Sequence, residues 1–537
     1  MGMNKLLFNF IFFMFSIPNL FGQDDRYMVF FKDKATTPFS IAEPELFLSQ
    51  KSIQRRTRQG LNITDMDLPV DPAYVNQVKA VGVNIKYSSK WFNGTLIEAT
   101  PQEKILVAAL PFVKSVEFVA PGKTGTGGRT ATHSKFASMA STSEVAQNQN
   151  SVLGLDEMQN AGFNGDGILI AVFDSGFPNV MTNPAFAHLI TEGRILDSYN
   201  FSFGHSNAFT GHPHGAQVLS IIAANLPSSF TGGAYGADFL LYATEFTPTE
   251  FRVEEYHWTF AAERADSAGA DIITSSLGYG EFDDPSMDYS SQDLDGKTSV
   301  ISQAANVAFE RGIVVVNSVG NLDAPSWQNI ASPADAENTL AVGSIDVEYN
   351  RSRGSAFGPT SDARIKPDVM AVGVNRSYVT TAGVVSSGSG TSYACPMITS
   401  LVAGVYQSWP NLSAVEMVAL IREAGSHFFN PTNDYGYGVP TFKAVQNIMG
   451  YEESDTGILV YPNPVIDNLR IGVVPNVGHE VHVRLFDHLG SEVEKVQYLS
   501  NWNFNPYYLD MSGYSAGVYL LHVSSKSASR SVRIIKK

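Results

Sequence analysis

Cysteine is almost absent: the 537 residues contain one, Cys395. An internal disulfide is therefore excluded, and stability outside a cell has to come from packing or bound ions. Charge is sparse, at 16% of residues, and one-sided, with 36 Lys and Arg against 52 Asp and Glu for a net charge of −16. A phosphate backbone needs a basic footprint, so the balance argues against nucleic acid as a partner, and the acidity reads as solubility. Long apolar runs are missing beyond the first 22 residues. No later stretch reaches the about 18 uninterrupted apolar residues of a membrane helix, so no stable membrane span is expected. The beginning itself carries Lys5, then LLFNFIFFMFSI, then polar Gln23 and Asp24, so residues 1–22 read as a secretory signal that is removed.

What is present suffices for a large core, since 44% of residues are hydrophobic, and the length implies two to four domains. From 27 to about 119 the periodicity gives strand YMVFF, helix DPAYVNQVKAV, strands VNIKYS and GTLIEAT, helix PQEKILVAAL and strand KSVEFV. This β-α-β-β-α-β order is ferredoxin-like, apart from an inserted basic stretch, KSIQRRTRQG. Residues 121–150 are rich in Gly, Ser, Thr, Ala and Asn and read as a flexible, cleavable connector. Between about 151 and 450, the buried-type runs GILIAVFD, ADFLLYAT, ADIITSSL, GIVVVNSV and NTLAVGSI alternate with helical stretches. That alternation predicts an α/β unit with a largely parallel sheet flanked by helices and ligands beyond the strands' carboxyl ends. From about 456 to 537 short strands between turns predict a small β-sandwich.

Three polar residues fall where such a sheet would place a site. Asp174 ends ILIAVFD, His214 precedes Gly215 at a helix start, and Ser392 follows Gly390-Thr391 and opens another helix. Each alone also reads blandly, as a turn acid, a helix-start polar residue or an N-cap. Together they fit nucleophilic catalysis, because an alcohol needs a base within reach and that base needs a carboxylate to hold its tautomer. Asn321, after VVVNSVG, is placed to offer an amide to an oxyanion, with a left-handed turn residue as the alternative.

The segments AVFDSG, HGAQVLS, SSLG, SVGN and GSGTSYACP resemble, in this order and over about 300 residues, the motifs of the subtilisin-like serine proteases. The resemblance implies a subtilisin-like fold and a secreted endopeptidase acting on proteins or peptides through an acyl-enzyme on Ser392. In it Asp174 would orient, His214 would act as base and then acid, and Asn321 with the Ser392 N–H would form the oxyanion hole. Ser276, Leu277 and Gly278 would pair with an extended substrate. It further implies that residues 23–120 are an inhibitor-like propeptide, cut from the catalytic unit 151–450 within 121–150. VYPNPVIDNLRI, LFDHLG, MSGYSAGVYLLHV and IIKK resemble the sorting domain of the type IX secretion machinery, which implies export through the periplasm to the surface or medium. Other readings are a permanent accessory domain at the N-terminus, a binding module at the C-terminus, and a catalytically silent adhesin of this fold.

Two departures stand out: Ala216-Gln217 where the family usually has Thr-His, and Cys395 where it usually has Ala. Cys395 lies nearly a helical turn beyond the residue that the glycines present, so it reads as a small buried hydrophobe rather than a nucleophile. No cofactor is expected for the chemistry. His212 and His214 lack further zinc ligands nearby in sequence. The loop acids Asp283, Asp284, Asp288, Asp293 and Asp295 read first as a solvated turn, with structural Ca²⁺ as the alternative.

Overall fold

The computed structural model describes residues 24–122, 149–322, 330–449, 458–461, 463–473, 480–499, 507–526 and 528–537. The signal segment and nearly all of the 121–150 connector lie outside the described residues.

The N-terminal unit contains β1 (Asp25–Phe31), α1 (Gln50–Arg58), α2 (Pro72–Ala80), β2 (Asn84–Ser89), β3 (Gly94–Ala99), α3 (Pro101–Ala108) and β4 (Val113–Ala120). Its antiparallel sheet has the order β2-β3-β1-β4. Strand alternation divides β1 between two cores. Tyr27, Val29 and Phe31 pack with Val78 of α2 and Val107 of α3, whereas Met28 faces the opposite way and joins Leu96 and Trp91. At the start of α3, Thr100 and Glu103 form a reciprocal capping box with Pro101 at the first helical position.

The central unit has the helices α4 (Leu155–Asn160), α5 (Ala187–Thr191), α6 (His214–Ala223), α7 (Val253–Ala268), α8 (Val300–Glu310), α9 (Thr391–Ser408), α10 (Ala414–Glu423) and α11 (Phe442–Met449). Its strands are β5 (Leu169–Asp174), β6 (Ile195–Asn200), β7 (Asn225–Leu226), β8 (Phe230–Thr231), β9 (Asp238–Ala243), β10 (Ile272–Ser275), β11 (Val314–Ser318), β12 (Leu340–Ile345), β13 (Val369–Val372), β14 (Arg376–Val379) and β15 (Val385–Gly388). Seven of them form a parallel sheet in the order β13-β12-β11-β10-β5-β9-β6. Both faces are covered, which is why its inner strands read as continuous apolar runs. In β5, Ile170 and Val172 join a core with Ile398 and Leu401 of α9; Leu169, Ala171 and Phe173 join another with Trp258 of α7 and Ile301 of α8. From β5 the chain passes to the edge strand β6 and returns as β9 beside β5, then crosses to β10 on the other side of β5 and runs through β11 and β12 to the opposite edge, β13. The carboxyl ends of β5 and β10 therefore flank the point where strand order reverses, the usual crevice for ligands.

Met28 and Leu96 of the N-terminal sheet and Trp91 of its β2–β3 turn are buried in the same core as Tyr256 and Phe260 of α7. Side chains of this kind each contribute about 1.5–3 kcal/mol when withdrawn from water. Glu263 of α7 accepts hydrogen bonds from the Ser89 hydroxyl, from Lys90 N at 2.8 Å and from Trp91 N at 3.2 Å.

The C-terminal strands are β16 (Ile458–Tyr461), β17 (Asn468–Val473), β18 (Glu480–Phe486), β19 (Glu492–Leu499), β20 (Tyr507–Asp510), β21 (Gly517–Ser525) and β22 (Ser529–Lys536). They make two sheets, β16-β17-β20 and β19-β18-β21-β22, around Leu469, Ile471, Val483, Leu485, Leu521 and Val523. No helix among the described residues is long and apolar enough to cross a membrane.

Candidate active site

Asp174 is fully buried at the end of β5. Both of its carboxylate oxygens lie 2.9 Å from His214 Nδ1. Oδ1 also accepts from Ser175 N at 2.7 Å and from the Ser175 hydroxyl at 2.9 Å, so the carboxylate is anchored from its own loop. His214 opens α6 and is 2% exposed. Gly215 makes this approach feasible. A Cβ there would lie 2.8 Å from Asp174 Cβ and 2.4 Å from Gly176 O.

Ser392 is the second residue of α9 and is 5% exposed. Its Oγ donates to Ser276 O at 3.4 Å, and the Ser276 hydroxyl donates back to Ser392 O at 3.0 Å. This reciprocal pair ties the turn into α9 to the segment leaving β10. In that segment Ser276 and Leu277 are buried and Gly278 is exposed. Asn321, just after β11, accepts at Oδ1 from Thr391 N at 3.0 Å and from the Thr391 hydroxyl at 3.1 Å. Two donors on one oxygen settle which end of the amide is the oxygen and leave its N–H₂ as the remaining donor. The two halves of the site meet where α6 packs along α9: the rings of His214 and Tyr393 lie 6.0 Å apart. Hydrogen bonds thus join Asp174 to His214 and Ser392 to Ser276, and Asn321 to Thr391, the residue before Ser392.

Two further residues support the site: Asn317, which no motif announces, and Gln217, one of the departures noted in the sequence. Asn317, next to the carboxyl end of β11, donates to Leu277 O at 2.9 Å and to Ser318 O at 2.7 Å, and its Oδ1 accepts from the Ser275 hydroxyl. It cross-braces β10 against β11 directly beneath the site. The visible signal was a lone amide inside VVVNSV. Gln217, in the position that departs from the family, accepts from the Tyr393 hydroxyl at 2.9 Å, and Tyr393 stacks on Tyr378 at 5.2 Å. The departure is therefore accommodated by a bridge between the histidine helix and the serine helix.

Cys395 is fully buried, with its thiol facing Ser275 O and the Thr274 hydroxyl. Burial pushes that thiol up to about 12, outweighing the hydroxyls that favour the thiolate. Because the thiolate forms only as pH approaches that value, Cys395 in the folded protein is expected to resist iodoacetamide at pH 8. Cys395→Ala should keep peptide hydrolysis within about twofold, since the thiol lies outside the reacting groups. Titration of the native and the unfolded chain with the reagent, followed by the assay, checks both.

His212 and His214 do not converge as an H-x-H pair: His214 Nδ1 faces Asp174, and His212 Nδ1 accepts from His214 N at 3.3 Å. The five loop acids considered for Ca²⁺ turn mainly to nearby backbone donors. Asp283 accepts from Glu250 N, Asp284 from Ser286 N, Asp288 from Phe282 N, Asp293 from Ser290 N, and Asp295 from Lys297 N and Thr298 N. Among the described residues, the acids whose oxygens approach within 4.8 Å of one another are instead Glu245, Glu250 and Glu254.

The "Subtilase family" model matches residues 165–438, the "Peptidase S8 propeptide domain, Bacteroidota" model residues 26–135, and the "Secretion system C-terminal sorting domain" model residues 459–537. Subtilisin BL of Lederbergia lenta is 29% identical over 286 residues, covering 53% of this chain and 93% of its own sequence. Subtilisin DY of Bacillus licheniformis is 28% identical over 265 residues, covering 49% and 85%. Among solved structures, MycP1 from Mycobacterium smegmatis covers 58% of this chain and 89% of its own, at 20% identity and a TM-score of 0.45. Since the family model spans more than half of its length, the chain belongs to the subtilase family of serine-type endopeptidases, with a propeptide domain before the peptidase and a type IX sorting domain after it.

Proposed function

We propose that this precursor is a secreted endopeptidase in which Ser392 attacks the peptide carbonyl, His214 moves the proton and Asp174 holds His214. The observation that carries the reading is the pair of 2.9 Å contacts from Asp174 to His214 Nδ1. They keep the ring proton on Nδ1 and leave Nε2 as an acceptor. The Ser392 hydroxyl proton passes to Nε2 as the Oγ–C bond forms. His214 then returns it to the amine as the C–N bond breaks. Water repeats the sequence on the resulting ester and regenerates the serine.

The negative charge that develops on the carbonyl oxygen would be met by the Ser392 N–H and by the Asn321 amide, whose oxygen is already engaged by Thr391. Ser276, Leu277 and Gly278 would receive the substrate backbone as an added strand. The N-terminal unit would act as an inhibitor until the 121–150 connector is cut. The sorting domain would direct the protein from the periplasm across the outer membrane.

Asn321→Leu tests the reading at the oxyanion. It is expected to lower kcat about 10²- to 10³-fold while KM changes little, because the lost donor acts chiefly in the transition state. Steady-state kinetics on a peptide amide, with the processed enzyme, measures both. A variant matching the parent in kcat would remove Asn321 from the mechanism.

A further inference from the structure

The stretch KSIQRRTRQG, left over by the ferredoxin-like pattern, places two of its arginines, Arg55 and Arg56, in the interior. It forms α1, which Ser49 caps by accepting from Ser52 N at 3.1 Å. Ser49 N donates to Ser267 O at 2.8 Å, which lays α1 across the C-terminal ends of α7 and α8. Gly269, in the left-handed conformation that closes α7, lets it approach; a Cβ there would sit 2.7 Å from Lys51 Cβ.

Arg55 and Arg56 are each 1% exposed, and both converge on fully buried Asp266 of α7. Arg55 reaches Asp266 Oδ1 at 2.6 Å and Arg311 O at 3.1 Å, and it also donates to Ala270 O. Arg56 reaches the two Asp266 oxygens at 2.9 and 3.0 Å and Asp67 at 2.8 Å. Lys90 adds a third cation, 2.8 Å from Asp266 Oδ2. Burial alone would raise the Asp266 carboxyl, but Lys90, Arg56 and Arg55 hold it well below the usual carboxylate range. At the rim, Lys51 and Arg58 face Asp271 at 3.1 and 3.4 Å.

Chemically this is a matched pair. Helix C-termini end in carbonyls without intrahelical donors and carry the negative end of the helix dipole. A guanidinium supplies several donors in a fixed planar fork, so one side chain can serve a carboxylate and backbone carbonyls together. A buried carboxylate that loses its cations is costly, which makes the pairing selective as well as tight.

We propose that the α7–α8 end of the catalytic domain is an acidic socket for adjacent arginines, and that α1 is the key by which this domain recognises and retains its own N-terminal unit. The surface is separate from the cleft at Ser392. The proposal rests on reading that unit as a propeptide that stays seated after the connector is cut.

Retention can be measured without the chain's own activity. A Ser392→Ala chain carrying a foreign site-specific protease sequence within residues 123–148 is cut by that protease and then diluted and sized. The parent's N-terminal fragment is expected to remain with the rest at micromolar concentration. Arg55→Lys/Arg56→Lys, which keeps the charge but removes the forks, should weaken retention at least about 100-fold, and so should Asp266→Asn. Thermal melting before cutting checks that each variant is folded, and the arginine substitutions leave the catalytic part unaltered should Asp266→Asn fail to fold. Retention within threefold of the parent in the arginine variant, or a parent fragment that dissociates at once, would overturn the proposal. Because hydrolysis plays no part, a failed peptidase reading shows in kinetics and leaves this result interpretable.

Discussion

Replacing Ser392 by Ala is expected to lower kcat/KM about 10⁵- to 10⁶-fold, with no more than a small change in stability. The loss is large because Ser392 would form the covalent bond. The stability change is small because its Oγ makes one long contact, 3.4 Å to Ser276 O, whose loss costs little. The backbone bond from the Ser276 hydroxyl to Ser392 O persists in the variant. Since maturation would use the same serine, the variant should also accumulate as an uncut precursor. Progress curves on a peptide amide, a melting curve and the mass of the exported chain read the three outcomes separately.

Asp174→Asn should cost about 10⁴-fold, nearly all of it in kcat. The reason lies in the donors around the carboxylate. Ser175 N and the Ser175 hydroxyl already direct hydrogens at Oδ1, so an asparagine would keep its oxygen on that side. Its NH₂ would then face His214 Nδ1 and drive the ring proton to Nε2, where it blocks acceptance from Ser392. Substrate contacts are untouched, so KM should stay within about threefold. A variant with unchanged kcat would show that Asp174 does not govern the state of His214.

The elements of the candidate site stand out in the sequence because each combines a polar residue with a break in periodicity. Asp174 closes an apolar run before Ser175-Gly176, and Ser392 stands just after Gly390-Thr391 at a helix start. Five strands of the large sheet, β5, β9, β10, β11 and β12, announced themselves as apolar runs. The two edges of the large sheet did not: β6, ILDSYN, is half polar, and β13, VMAV, is only four residues long. Asn317 was hidden for the opposite reason, since one amide inside VVVNSV leaves the strand pattern intact while its partners lie some 40 residues away. The insert KSIQRRTRQG could be recognised as extra and basic. That its arginines are interior residues depends on Asp266, more than 200 positions later, and on helix ends that periodicity does not register. Long-range pairing of charge with backbone is the part of this fold that local pattern cannot carry.

The central claim is that His214 and Asp174 make Ser392 a nucleophile. A fluorophosphonate probe, which esterifies only an activated serine, tests it on the processed enzyme, with the adduct located by mass spectrometry of the digested chain. The account predicts a single adduct on the peptide containing Ser392, lost in Ser392→Ala and strongly slowed in Asp174→Asn. An unlabelled, folded and processed wild type, or an adduct on another residue, would contradict it.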